Sequence, residues 1–164
     1  GKEAASVASA IAPLGRVGAG AGATVSKWRG KEFSELGGLG GATLREGNLI
    51  VSCLIAVNAS GDIDFGEYPD KIRDGHFSIP KLNPFENTTI GVVATNAKLT
   101  KSECFLVSQS AHDGYARALF PAHTSGDGDA VVVAATGKVP TEMSTIRSLT
   151  TLTVETAIKS IADE

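Results

Sequence analysis

Asn87-Thr88-Thr89 pairs an asparagine carbonyl with a hydroxyl and runs directly into the apolar, β-rich segment Ile90-Gly91-Val92-Val93-Ala94-Thr95. A polar pair at the mouth of a buried strand is either a turn leading into the strand or a chemical site. The chemistry it allows is specific. Attack of the Thr88 hydroxyl on the Asn87 carbonyl, an N-to-O acyl shift and hydrolysis would cut the chain, leaving Thr88 with a free α-amino group beside its own hydroxyl, a nucleophile with a built-in base. The same residues also read as an N-glycosylation acceptor, as does Asn58-Ala59-Ser60. Asn58 ends an apolar run just before Ser60-Gly61-Asp62, where it is a turn-former or an oriented amide donor.

Two other stretches carry candidate ligands. Val17 to Gly30 alternates Gly and Ala and contains Lys27, but it lacks the GxGxxG and GK[ST] patterns of phosphate-binding loops, so it reads as backbone pressed close to another layer. His123-Thr124-Ser125-Gly126-Asp127-Gly128-Asp129 offers two carboxylates and an imidazole, an acidic turn or a metal loop with too few ligands for an EF-hand.

The elements that must hold these residues follow from periodicity. An Ala-rich helix is expected over Lys2–Ile11, ended by Pro13 and Gly15. Strands are expected at Ala42–Arg45 and Leu49–Val57, joined by a turn at Glu46-Gly47-Asn48, and the second, nearly all apolar, is central. Residues 63–86 lose any period and read as a long exposed loop or linker. After strand Ile90–Thr95, Thr100 with Glu103 three residues on forms a capping box. Cys104, Val107, Ala111, Tyr115 and Ala118 then recur at helical spacing until Phe120-Pro121. A strand over Ala130–Ala135 and an amphipathic helix over Thr141–Asp163 complete an α/β layered sandwich.

Composition narrows the function classes. At 164 residues, 42% hydrophobic and 20% charged, the chain is sized for one domain with a substantial core. A net charge of −3 and the absence of a basic run interleaved with aromatics disfavour nucleic acid and anionic membranes as partners. No apolar run approaches the roughly 20 residues of a membrane span, and no signal-peptide pattern opens the chain. Cys53 and Cys104 are not spaced as a disulfide framework or zinc site, so two thiols in a reducing, cytoplasmic compartment are expected, without metal or cofactor.

Taken in order, Val17 to Gly30, Gly38-Leu39-Gly40, Ala56-Val57-Asn58, Asn87 to Val93, Ala111 to Ala118, and His123-Thr124 to Gly128-Asp129 resemble the DmpA-type L-aminopeptidase/D-esterase family, which includes β-peptidyl aminopeptidases and nylon-oligomer hydrolases. The resemblance covers about Val17 to Gly137. It implies a four-layer αββα sandwich of the DmpA/ornithine acetyltransferase type, incomplete at the N-terminus, because family members are about twice this length. It also implies self-cleavage between Asn87 and Thr88, with residues 1–87 as the C-terminal part of an α subunit and 88–164 as a β subunit.

The family pattern assigns Thr88 as nucleophile, with Thr89 as the alternative. Lys27 would hold the Thr88 amine neutral by like charge. Asn58 would be the oxyanion donor. Asp127 and Asp129 would pair with Lys27 and the Thr88 amine, or bind a substrate ammonium. The implied activity is aminopeptidase-like hydrolysis of a small peptide or amide by a homo-oligomer of αβ units. An acyl transferase of the ornithine acetyltransferase type is the enzymatic alternative, although its cleavage step is usually Ala-Thr. An inactive binding scaffold is the non-enzymatic one.

Overall fold

The structure, a computed structural model, describes residues 2–73, 75 and 87–163. In chain order the regular elements are α1 (Lys2–Ser6), β1 (Thr24–Val25), β2 (Glu35–Leu36), β3 (Gly38–Glu46), β4 (Leu49–Val57), β5 (Asp62–Ile63), α2 (Tyr68–Arg73), β6 (Ile90–Ala97), α3 (Lys101–Ala118), β7 (Leu119–Phe120), β8 (Ala130–Val139) and α4 (Met143–Lys159), with short 3-10 turns at Gly18–Gly20, Lys27–Arg29, Lys31–Phe33 and Ser160–Asp163. The main sheet has the order β3-β4-β6-β8. Its first two pairings are antiparallel and the β6–β8 pairing is parallel. A parallel pair cannot be closed by a tight turn, and α3 provides the crossover.

Both long helices lie on one face of this sheet. Alternation along β4 puts Leu49, Val51, Cys53, Ile55 and Val57 into the core, where they join Val93, Val107, Ala111, Tyr115, Ile146, Val154 and Ile158. Leu54, Ile90, Val92 and Val132 point to the opposite face and remain exposed. The α/β class is therefore as expected. The described residues supply one sheet layer and one helix layer of a layered sandwich, with an apolar second sheet face.

Several boundaries differ from expectation for physical reasons. β3 starts four residues before Ala42, because its glycines are packing residues rather than a loop. A Cβ on Gly40 would stand 1.9 Å from the Ala157 carbonyl oxygen of α4. The glycine-alanine run behaves likewise: a Cβ on Gly20 would meet the backbone nitrogen of Leu39 at 2.2 Å, so the run is close-packed against β3. The N-terminal helix is only Lys2–Ser6. Val7 and Ile11 beyond it are 73% and 85% exposed, so no packing offsets the nucleation cost of so short a helix. The expected loop over 63–86 contains α2, and its residues 74 and 76–86 lie outside the described residues.

The capping box of α3 is complete, with Thr100 accepting from the Glu103 N–H and Glu103 accepting from the Thr100 N–H. The threonines of α4, poor helix formers, return their hydroxyls to the preceding turn: Thr150 to the Ile146 carbonyl at 2.7 Å and Thr153 to that of Leu149 at 2.7 Å. Both thiols are free, Cys53 within the core and Cys104 half-buried. Burial pushes the Cys53 thiol up to about 12, against a smaller lowering from its backbone contact with Ala42, so it is inert near neutral pH.

Candidate active site

Sheet register brings the candidate residues together. β4 and β6 run antiparallel with Ala56 opposite Ile90, and continuing this register two residues beyond that pair sets Asn58 opposite Thr88. The Thr88 N–H donates to the Asn58 carbonyl at 3.0 Å. On the other side, β6 and β8 are parallel with Ile90 beside Ala130, and the ladder is extended backwards by an isolated bridge between Asn87 and Asp127. There the Asn87 N–H donates to the Gly126 carbonyl at 3.1 Å, and the Gly128 N–H donates to the Asn87 carbonyl at 2.9 Å. The Asn87-Thr88 peptide is thus gripped at both its N–H and its C=O.

Thr88 and Thr89 face opposite sides, as successive residues entering a strand must. Thr88 lies with Ile90 and Val92 in a cleft of about 490 Å³ that Asn58, Leu54, Ala56 and Leu39 also line. Its Oγ1 donates to the Asn87 carbonyl oxygen at 2.5 Å. Thr89 is fully buried beneath the helices, its Oγ1 has no hydrogen-bond partner, and its carbonyl accepts from the Tyr115 hydroxyl at 3.5 Å. Of the two threonines, only Thr88 reaches open space.

Asn58 is not a local turn-former. Its Oδ1 accepts from the Thr24 N–H at 3.1 Å and from Lys27 Nζ at 3.0 Å, both distant in sequence. These contacts hold the Oδ1 end of the amide, and Asn58 is one of the residues that line the cleft. The reach of Lys27 depends on Ser26, whose left-handed φ of 65° turns the chain into the 3-10 turn that carries Lys27. Ser26, Lys27 and Trp28 are tied down by backbone bonds to the Ser60 and Gly61 carbonyls.

The two aspartates are turned to protein donors. Asp127 Oδ1 accepts from the Ser60 N–H at 2.9 Å, and Oδ2 accepts from the Thr124 N–H at 3.0 Å and from the Thr124 hydroxyl. Asp129 Oδ1 accepts from the Thr89 N–H at 2.9 Å, while Oδ2 meets His123 Nδ1 at 2.8 Å. The two carboxylates therefore clip the 60 loop, the 124 turn and the start of β6 together. Among the described residues, no group of three His, Cys, Asp or Glu side chains is placed to hold a metal ion.

Sequence reasoning raised His123 only as a metal ligand and missed Gly128, Ser60 and Thr124. The Asp-Gly-Asp spacing was the available signal, since a glycine between two anchored carboxylates marks backbone that approaches something closely. A Cβ on Gly128 would lie 2.9 Å from Thr88 Oγ1.

The hydrogen bond that His123 donates to Asp129 holds its imidazolium above the ordinary histidine range, against a smaller lowering from burial. His112 is shifted down, by burial first and then by the charge of His123, with Asp129 and Asp113 opposing. We expect NMR titration of the two rings to separate them, His112 losing its proton first and His123 last as pH rises, and Asp129→Asn to lower the His123 midpoint. The linkage signs differ. The contribution of His123 to stability is full below its unfolded pKa of about 6.5 and is lost as pH rises through the folded value, whereas that of His112 is lost as pH falls below about 6.5. Equal midpoints for the two rings would refute the Asp129 contact.

Comparison with known proteins places the chain in a family. It belongs to the family described as Peptidase family S58, whose model matches residues 2–164. It is 34% identical over 148 residues to an uncharacterized aminopeptidase of Mycobacterium leprae, covering 79% of this chain and 39% of that protein. It is 26% identical over 174 residues to the 6-aminohexanoate-oligomer endohydrolase of Paenarthrobacter ureafaciens, covering 93% of this chain and 48% of the relative.

Among solved structures, the PH0078 protein of Pyrococcus horikoshii matches with a TM-score of 0.73 at 23% identity, covering 99% of this chain and 48% of that one. The L-aminopeptidase D-Ala-esterase/amidase of Ochrobactrum anthropi, described as a prototype for the serine aminopeptidases and a variant of the Ntn hydrolase fold, matches with a TM-score of 0.65 at 18% identity, covering 94% and 46%. The fold is that of these proteins, and the chain spans less than half the length of each. Among the described residues, no helix is long and apolar enough to cross a membrane.

Proposed function

We propose that this chain carries the reaction centre of a self-activating amide hydrolase that cuts small peptides or related amides with Thr88 as an N-terminal nucleophile. The observation that carries the reading is the Asn87-Thr88 peptide itself. Its hydroxyl lies on its own carbonyl, its N–H and C=O are both held by neighbouring strand ends, and it opens into the cleft lined by Asn58.

In the first step Thr88 Oγ bonds to the Asn87 carbonyl carbon, the C–N bond breaks and the hydroxyl proton ends on the Thr88 nitrogen. Water then hydrolyses the ester, releasing the Asn87 carboxylate and regenerating the hydroxyl. Residues 1–87 and 88–164 become separate chains. In turnover the Thr88 amine, with an ordinary pKa of about 8, accepts the hydroxyl proton as Oγ attacks the substrate carbonyl. An acyl-threonine forms and the substrate amine leaves with that proton. Water then resolves the acyl-enzyme. Asn58 Nδ2 donates to the oxyanion, and Lys27 acts through the Asn58 amide that it contacts and through its positive charge, which disfavours protonation of the amine.

Asp127 and Asp129 position the strand ends around Thr88. Assembly as a homo-oligomer of αβ units is part of the same reading. The test needs no substrate: intact mass under denaturing conditions with N-terminal sequencing of every component. Two pieces, one beginning at Thr88, are expected; a single 16.8 kDa species would count against the reading.

A further inference from the structure

The self-cleavage proposed above has an oxyanion of its own to stabilise, and its carbonyl already carries two hydrogen bonds. The Asn87 oxygen accepts from Thr88 Oγ1 at 2.5 Å and from the Gly128 N–H at 2.9 Å. The first cannot persist, because the Thr88 oxygen becomes the nucleophile and surrenders its proton as the C–O bond forms. Among the described residues, the donor that remains as negative charge grows on the Asn87 oxygen is the Gly128 N–H.

We propose that the Gly128 backbone N–H is the oxyanion donor of the chain-cutting step, and that Asp127 is the positioning residue that aims it. Asp127 lies in the bridge with Asn87 and is pinned at both carboxylate oxygens, by Ser60 and Thr124, so the peptide that follows it is held in register with the scissile carbonyl. A side chain at 128 would displace the Thr88 hydroxyl, because the nucleophile and the donor converge on one atom. A Cβ there would sit 2.9 Å from Thr88 Oγ1 and 3.8 Å from the Asn87 oxygen. The leaving nitrogen is provided for as well, since the Asn58 carbonyl that accepts the Thr88 N–H at 3.0 Å can accept from the amine after the C–N bond breaks. Self-cleavage and substrate turnover thus use different donors, a backbone N–H for the first and the Asn58 side chain for the second.

The proposal rests on the self-cleavage reading, and the test separates the two. In the full-length chain, the Asp127-Gly128 amide is replaced by an ester through incorporation of glycolic acid at 128, which removes the N–H and adds no side chain. Appearance of the fragment beginning at Thr88 is then timed by mass spectrometry against wild type. Loss of one preorganised donor should slow cleavage by about 100- to 1,000-fold. Cleavage of the ester chain at the wild-type rate overturns this proposal alone, while a wild-type chain that is never cut overturns both.

A second measurement leaves Gly128 intact. In uncut Thr88→Ala protein, a through-hydrogen-bond coupling between the Gly128 amide nitrogen and the Asn87 carbonyl carbon is expected, and Asp127→Ala in that background should abolish it. No coupling in the folded Thr88→Ala chain overturns the donor assignment, and a coupling that survives Asp127→Ala overturns the positioning role.

Discussion

Thr88→Ala should leave the chain as a single uncut 16.8 kDa species and abolish turnover, with a rate loss on the order of 10⁶-fold, as when a hydrolase loses its nucleophile. The structure explains why no neighbour can take over. Thr89 is next in sequence, but it faces the helices, is fully buried, and has its carbonyl under the Tyr115 hydroxyl. Strand alternation puts its oxygen on the wrong side of the sheet for the cleft. Thr88→Ser keeps the oxygen and should still be cut, and Thr89→Val, which removes only a buried unpaired hydroxyl, should be cut as wild type is. Intact mass of the three variants decides the matter. Cleavage in Thr88→Ala, or its loss in Thr89→Val with the fold intact, would move the nucleophile to Thr89.

The elements around this site were legible in the sequence where a single local rule sufficed. The capping box at Thr100 and Glu103 located α3, and the unbroken apolar run marked β4 as an interior strand, because both signals are carried by adjacent residues. The glycines of β3 were not legible as strand. Gly is depleted in strands, and what makes Gly40 right is the Ala157 carbonyl oxygen of α4, more than a hundred residues away. The site divides in the same way. Asn87-Thr88 could be singled out because the two groups proposed to react are neighbours in the chain. The convergence of Lys27, Asn58, Asp127 and Asp129 on that step came from resemblance, since no local pattern encodes the β4–β6 and β6–β8 registers that bring their strand ends together. Gly128 was invisible for a further reason: its contribution is a backbone N–H, which every residue except proline has.

Asn58→Asp is the sharper of the possible tests of Asn58 as the proposed substrate oxyanion donor. Alanine would remove the donor and also the Oδ1 acceptor that the Thr24 N–H and the Lys27 ammonium share at 3.1 and 3.0 Å. Any loss would then mix catalysis with disrupted structure. Aspartate keeps an acceptor for both and forms an ion pair with Lys27, so the loop should stay in place. What it lacks is the Nδ2–H proposed as the donor, and its carboxylate would set negative charge where the proposed oxyanion develops. We therefore expect kcat on an amide substrate to fall at least 100- to 1,000-fold, about 3 to 4 kcal/mol of transition-state stabilisation, with a thermal midpoint near that of wild type. Self-cleavage should be affected less, because the Asn58 contact to the scissile peptide is through its backbone carbonyl. A variant that is cut and still turns over substrate at the wild-type rate would exclude the Asn58 side chain as donor. One that is cut but turns over slowly would show that the two reactions of Thr88 are stabilised by different groups.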